Sequence, residues 1–392
     1  MEKVFQFKGV SYPVNTEPAE FLPDVTNFLD GSLDEDNLKG MVASIKMNRP
    51  LLLVGPTGSG KTATVRWLAR ETNNSYRRIQ LNGSTTVDDF VGRTLLDPNG
   101  TYWVDGILTD AMRKGHWLLL DEINAALPEI LFVLNSILDD DRCLILADKE
   151  DREVLKPHPN FRLFAAMNPW QDYAGTKELN RAQMDRFMVV EYTYPENIFE
   201  QRIVAKHSGI LLSLGKDGTK GRPVIERMVE FANIIRKKNK DGELTAICST
   251  RQLIQWVQLG EYLDIKHAAK LSIINKCDDD EKEKVSDELN KLFRNGESIA
   301  KHKKNRIAFL KAEQKKNNAP PPNMNDKPTA VSKVVNDPPV KTYTSSYGPR
   351  VNDLISGMDS NIIIDDPMPV DADFIKATKI AQGKITSTVT IN

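Results

Sequence analysis

Leu51 to Val54 form a continuous apolar run, Gly55, Gly58 and Gly60 punctuate the residues after it, and from Thr62 to Arg70 apolar and polar positions alternate at helical spacing. A buried strand, a tight loop and a helix are expected. The same change of period recurs to about Tyr194, where "PLLLVG", "RRIQLN", "HWLLLDE" and "FRLFAAMN" read as strands separated by helix-like stretches. Such alternation predicts an α/β fold, a parallel sheet with helices on both faces. Between the second and third runs lies "DDFVGRTLLDPNGTYWVDGILTDAMRKG", in which the turn signal "DPNG" is flanked by residues suited to a hairpin. This is an insertion in an otherwise simple alternation.

Residues 196–275 carry a mostly helical pattern, interrupted by "LLSLGKDGTKGRP" and "KKNKDGELTAICST" as loops, so a small helical lid domain should follow the sheet. Residues 276–316 are highly charged with sparse apolar positions and read as a solvated helix, a partner-binding helix being the sharper alternative. Residues 317–392 open with prolines and small polar residues that bury too little surface to offset chain entropy, and they read as a linker and disordered tail. The apolar islands "NIIIDD" and "DFIKATKIA" there are either docking motifs or chance. The expected organisation is an N-terminal segment over 1–37, an α/β domain over 38–195, the lid, the charged segment and the tail.

Composition narrows the class without choosing a function. The chain has 392 residues, 40% hydrophobic and 27% charged, with a net charge of −1. That balance supplies no global basic field, so nucleic acid is not indicated. No apolar run reaches the ~20 residues of a membrane span, and the start "MEKVFQFKGVSYPVN" lacks the layout of a signal peptide; a cytoplasmic protein is expected. Cys143, Cys248 and Cys277 lie far apart, and the five histidines show no ligand spacing with them.

Chemistry concentrates in the strand ends. In "GPTGSGKT" backbone N–H groups and the positive end of the following helix make a cradle for phosphate; Lys61 can reach the β- and γ-phosphates and Thr62 offers a hydroxyl to Mg²⁺. In "HWLLLDEIN" Asp121 can hold Mg²⁺ through water, and Glu122 can act as general base on an attacking water. Asn168 ends the next strand, where an amide could orient that water; an Asn-Pro turn is the plainer reading. Arg181 and Arg186 follow in "LNRAQMDRF", each a candidate cation for a neighbouring subunit's nucleotide and each also a natural surface ion-pair partner. In "STRQL" Ser249 or Thr250 should cap a helix whose first turn holds Arg251, a placement that calls for a facing anion.

"GPTGSGKT", "LLLDEIN", "FRLFAAMNP", "LNRAQMDRF" and "STRQL", in this order, resemble AAA+ ATPases of the MoxR and dynein-related group, and "LKPHPNFRLFAAMN" is similar to the AAA+ subunit of cobaltochelatase. The resemblance implies ATP and Mg²⁺ as cofactors. It implies Gly55, Pro56, Thr57, Gly58, Ser59, Gly60, Lys61 and Thr62 as Walker A, with Thr62 and Asp121 toward the metal. Asp121 and Glu122 become Walker B, Asn168 sensor 1, Arg186 the arginine finger and Arg251 sensor 2. Asn82 matches the polar residue that pairs with the Walker B glutamate in many relatives. The hairpin around Tyr102 and Trp103 matches one often directed toward a ring pore, with core packing as the other reading of these aromatics. The implied protein is a chaperone-like ring ATPase, a homo-oligomer expected to be hexameric, remodelling a protein client, in this family typically one with a von Willebrand A-like domain. The motor of a metal chelatase, a nucleic-acid motor and a nucleotide-gated scaffold are the rivals; "LLDPNGTYWVDG" has none of the Lys and Arg that would favour the second, and Glu122 speaks against the third.

Overall fold

A computed structural model describes residues 4–7, 9–25, 34–169, 179–208 and 222–300. The chain opens with an antiparallel hairpin, β1 (Val4–Phe7) and β2 (Val10–Pro13), followed by α1 (Glu35–Lys46), β3 (Leu51–Val54), α2 (Lys61–Glu71) and β4 (Tyr76–Gln80). The short α3 (Val87–Phe90) leads into β5 (Gly92–Asp97) and β6 (Gly100–Asp105), then α4 (Ile107–Lys114), β7 (Trp117–Asp121) and α5 (Pro128–Leu138). A small hairpin, β8 (Leu144–Ile145) and β9 (Val154–Leu155), precedes β10 (Arg162–Met167), α6 (Arg181–Met184) and β11 (Met188–Glu191). Helices α7 (Asn197–Ser208), α8 (Val224–Lys240), α9 (Thr250–Leu259), α10 (Ile265–Ser272) and α11 (Lys282–Leu292) complete the described chain.

Five strands form one parallel sheet in the order β11-β3-β10-β7-β4. Strand residues alternate between its two covered faces, which explains why the inner runs β3, β7 and β10 are almost wholly apolar. Leu51, Leu53, Trp117, Leu119, Phe164 and Ala166 pack with α1 and α2, while Leu52, Leu118, Leu120, Leu163 and Ala165 pack with α4 and α5. Helices therefore cover both faces, as expected. The fifth strand, "MVVE", is absent from the four runs expected from the sequence; it is an edge strand that leaves Met188, Val189 and Glu191 exposed and buries Val190. The "DPNG" turn does close a hairpin: β5 and β6 pair from Gly92 opposite Asp105 to Asp97 opposite Gly100, and Gly100 takes the positive φ of 126° that the tight connection requires. Trp103 packs partly against the core and donates to Asp105 at 2.6 Å, whereas Tyr102 stays exposed.

The helical region has its own core around Phe231, Trp256, Leu253 and Ile235. It runs on past residue 275. Val285, Leu289 and Phe293, spaced four apart, bury one side of α11 and its exit in that core, and Ile299 joins them. Sparse apolar residues at helical spacing suffice for such a face, so residues 282–293 are half packed and half solvated. The expected tail at 317–392 lies outside the described residues. Among the described residues no helix is long and apolar enough to cross a membrane.

Candidate functional site

The register of the sheet brings the sequence-predicted residues to one edge. Met167 stands opposite Val54, and Ala166 and Gln80 stand opposite Asp121, so Gly55, Asn168 and Glu122 each follow the last paired residue of a strand. The loop after β3 needs its glycines where they stand: a Cβ at Gly55 would come within 2.4 Å of the Tyr192 carbonyl, and Gly60, at φ 100°, turns the chain into α2. No side chain caps the N-terminus of α2. Its first N–H groups face the loop unclaimed by a capping residue.

Lys61 is buried and folded back on this loop, its Nζ donating to the carbonyls of Gly55 and Pro56 at 2.7 and 2.9 Å and to Asn168 Oδ1 at 3.0 Å. Burial lowers its pKa to about 8; Asp121 and Glu122 oppose that shift and Arg251 adds to it. Thr62 donates to Asp121 Oδ2 at 3.2 Å. Glu122 adopts a left-handed φ of 55°, a conformation costing about 1–2 kcal/mol for a non-glycine residue. Behind it, Asn124 donates to the backbone carbonyl of Asn168 at 3.2 Å, tying the ends of β7 and β10 together.

Both carboxylates are held from the edge strand β4 by residues that the sequence reading missed. Arg78 donates to Asp121 Oδ2 through Nε and a terminal nitrogen at 2.9 and 2.6 Å, and Gln80 Nε2 donates to Glu122 at 2.8 Å. The partner of Glu122 is thus Gln80 and not Asn82, whose Oδ1 instead accepts from the backbone N–H of Ser84 at 2.8 Å and from its hydroxyl at 2.6 Å. Asn82 lies beyond the paired part of β4 and closes its own turn. The signal was period two: Arg78 and Gln80 share a face of the strand.

The arginines separate. Arg186 bonds to none of these groups, its Nε donating to Asp139 at 2.6 Å and a terminal nitrogen to the Ala182 carbonyl at 2.6 Å. Arg181 is exposed in the first turn of α6, after the cap Asn180. Ser249 is the cap of α9, in a reciprocal arrangement with Gln252. A Cβ at Gly58 would lie 3.0 Å from Ser249 Cβ and 3.4 Å from Arg251 Cβ, so the start of α9 rests directly on the phosphate-type loop.

Comparison with known proteins decides the family. A model of the dynein-related AAA domain matches residues 50–187, and one of the CbbQ/NirQ/NorQ C-terminal region matches residues 200–295. An uncharacterized protein of Staphylococcus haemolyticus is 30% identical over 258 residues, 64% of this chain and 93% of the relative. The chain belongs to the AAA+ ATPases of the dynein-related, MoxR-like group. The aerobic cobaltochelatase subunit CobS of a Sinorhizobium species is 29% identical over 293 residues, covering 72% of this chain and 86% of that one. Midasin of Dictyostelium discoideum is 41% identical over 159 residues, and there the match spans 40% of this chain and 3% of the relative. In this AAA+ chain residues 188–199, with β11 and the joint to α7, separate the two matched models, and the loop of the first lies against the start of α9 in the second.

Proposed function

We propose that this AAA+ protein hydrolyses ATP with Mg²⁺ in a homo-oligomeric, hexameric ring and uses the turnover to remodel a protein client. The observation that carries the reading is the meeting of Lys61, Thr62, Asp121, Glu122 and Asn168 at neighbouring strand ends, with Arg251 against the loop. The residues fit a nucleotide phosphate. Lys61 spends its charge on neutral carbonyl and amide oxygens, contacts an anion would outcompete, and the N-terminus of α2 lacks a side-chain cap. They also fit a hydrated divalent cation, because Thr62 and Asp121 bring their oxygens together and a cation there would take the place of the Arg78 guanidinium that now balances Asp121. Mg²⁺, when bound, would neutralise phosphate charge.

The chain's own groups supply the remainder. Lys61 exchanges its carbonyl partners for phosphate, and Asn168, released from Lys61, orients the attacking water. Glu122 takes that water's proton while Gln80 holds the carboxylate in place. Arg186 acts on a neighbouring subunit's site, which makes assembly a condition of turnover. A protein client with a von Willebrand A-like domain is the partner the family resemblance favours. The similarity to a cobaltochelatase subunit supports a second reading, a chelatase motor whose partner would hold metal and macrocycle.

Nucleotide titration of two variants tests the first reading. Lys61→Ala should lose ATP binding, while Glu122→Gln should keep ATP and stop turnover. Equal, tight binding by both would remove the role given to Lys61. Capture of the client with the Glu122→Gln trap then separates the readings: a protein partner without tetrapyrrole or metal chemistry excludes the chelatase.

A further inference from the structure

A partly buried chain of polar contacts links the phosphate loop to the helix bearing Arg251. Tyr194, in the joint between β11 and α7, donates its hydroxyl to the backbone carbonyl of Thr57 at 3.0 Å. The guanidinium of Arg236, on α8, lies 3.8 Å above the Tyr194 ring. Arg236 grips both carboxylate oxygens of Glu200, on α7, at 2.7 Å each and donates through Nε to the Cys248 carbonyl at 2.7 Å. Glu200 in turn accepts from Thr250 Oγ1 at 2.5 Å, one residue before Arg251. Loop, joint and three helices are thereby connected through hydrogen bonds and one stacked guanidinium.

The geometry points to Tyr194, Arg236, Glu200 and Thr250 as positioning residues that set Arg251 against the phosphate loop. This rests on the nucleotide reading above. A planar guanidinium with a bidentate carboxylate below and an aromatic ring above has one comfortable orientation, so it transmits a fixed geometry rather than a mere attraction. Thr250 and Cys248 bracket the helix cap Ser249, and gripping both sides of the cap fixes the direction in which the first turn of α9 presents Arg251. The Tyr194 hydroxyl supplies the reference point, since it bonds the loop itself.

The test is Mg-ATP affinity of the full-length protein, read beside its melting temperature. Tyr194→Phe deletes the hydroxyl and keeps the ring over Arg236; it should weaken binding about 2- to 10-fold, the worth of one net hydrogen bond, with melting unchanged. Thr250→Val should weaken binding likewise, and Thr250→Ser, which keeps the hydroxyl, should restore it. In an Arg251→Ala background, itself weaker than wild type, Tyr194→Phe should cost nothing more, since there is no longer a guanidinium to position. The proposal is overturned if Tyr194→Phe binds as wild type does, if it weakens binding by the same factor with and without Arg251, or if Arg251→Ala has no effect. Wild-type protein that fails to bind Mg-ATP, or Lys61→Ala that binds as tightly as wild type, overturns the nucleotide reading and this one with it. Lost binding in Lys61→Ala beside a silent Tyr194→Phe removes the positioning role alone.

Discussion

Two arginine–carboxylate pairs of nearly equal length occupy opposite physical situations. Arg186 meets Asp139 at 2.6 Å with the side chains 32% and 52% exposed, whereas Arg236 meets Glu200 at 2.7 Å with 11% and 0% exposed. Water can replace either partner of the first pair at little cost, so Arg186 is held but can leave. Neither partner of the second can be left alone without stranding a charge away from solvent. Separation in ångströms therefore says little about what a pair is for. Burial says more: the rim pair suits a group proposed to act on a neighbour, and the enclosed pair suits a frame.

The largest expected effect tests the mobile half of that comparison. Arg186→Ala should retain ATP binding and lose roughly 10³- to 10⁵-fold in hydrolysis rate. Mixed with Glu122→Gln, it should regain part of the activity, because some interfaces then combine an intact Glu122 with an intact neighbouring Arg186. Chromatography must show that the two variants assemble and exchange. Recovery with Arg181→Ala in place of Arg186→Ala would move the finger to Arg181.

Glu200→Ala tests the fixed half. It leaves the Arg236 charge enclosed and should cost about 3–5 kcal/mol, seen as a fall of roughly 10 °C or more in the melting transition of the helical region. A fall of only a degree or two would mean that Arg236 finds water, and that the pair differs less from Arg186–Asp139 than its burial implies. Gln80→Ala comes next. Removing the amide that holds Glu122 should lower kcat by about 2- to 10-fold with nucleotide affinity kept, while Asn82→Ala leaves kcat near wild type. The reverse order would return the pairing role to Asn82. The smallest effect is reserved for Asp139→Ala, which should shift stability by less than about 1 kcal/mol in denaturant unfolding and leave hydrolysis within a few-fold. A loss as deep as that of Arg186→Ala would show that the rim pair is itself a fixed element.

What could be read from residue order alone was whatever local chemistry dictates. The glycine-lysine loop, the acidic end of an apolar strand, the "DPNG" hairpin and the capped start of α9 each occupy a few consecutive residues, where backbone sterics and capping act over short range. Those signals were enough for the parallel sheet, the helical region and the residues that meet at the sheet's strand ends. The edge strand β11 escaped although Phe187 to Val190 is apolar, because the run is short and follows the helix-like "LNRAQMDRF" without a break. Asn82 was named and Gln80 passed over because only pairing with β7 shows which residue of β4 stands opposite Asp121.

Only the tertiary structure decided the strand order, which inserts β10 between β3 and β7 and so sets Asn168 beside Lys61. It likewise decided the union of Glu200 with Arg236 and of Tyr194 with Thr57, contacts separated by 36 and 137 residues. The physical reason is the same in both cases. Hydrogen bonds between strands and charges brought together by burial depend on which surfaces meet, and that is settled by the packing of whole elements, to which any single stretch of the chain contributes only one side.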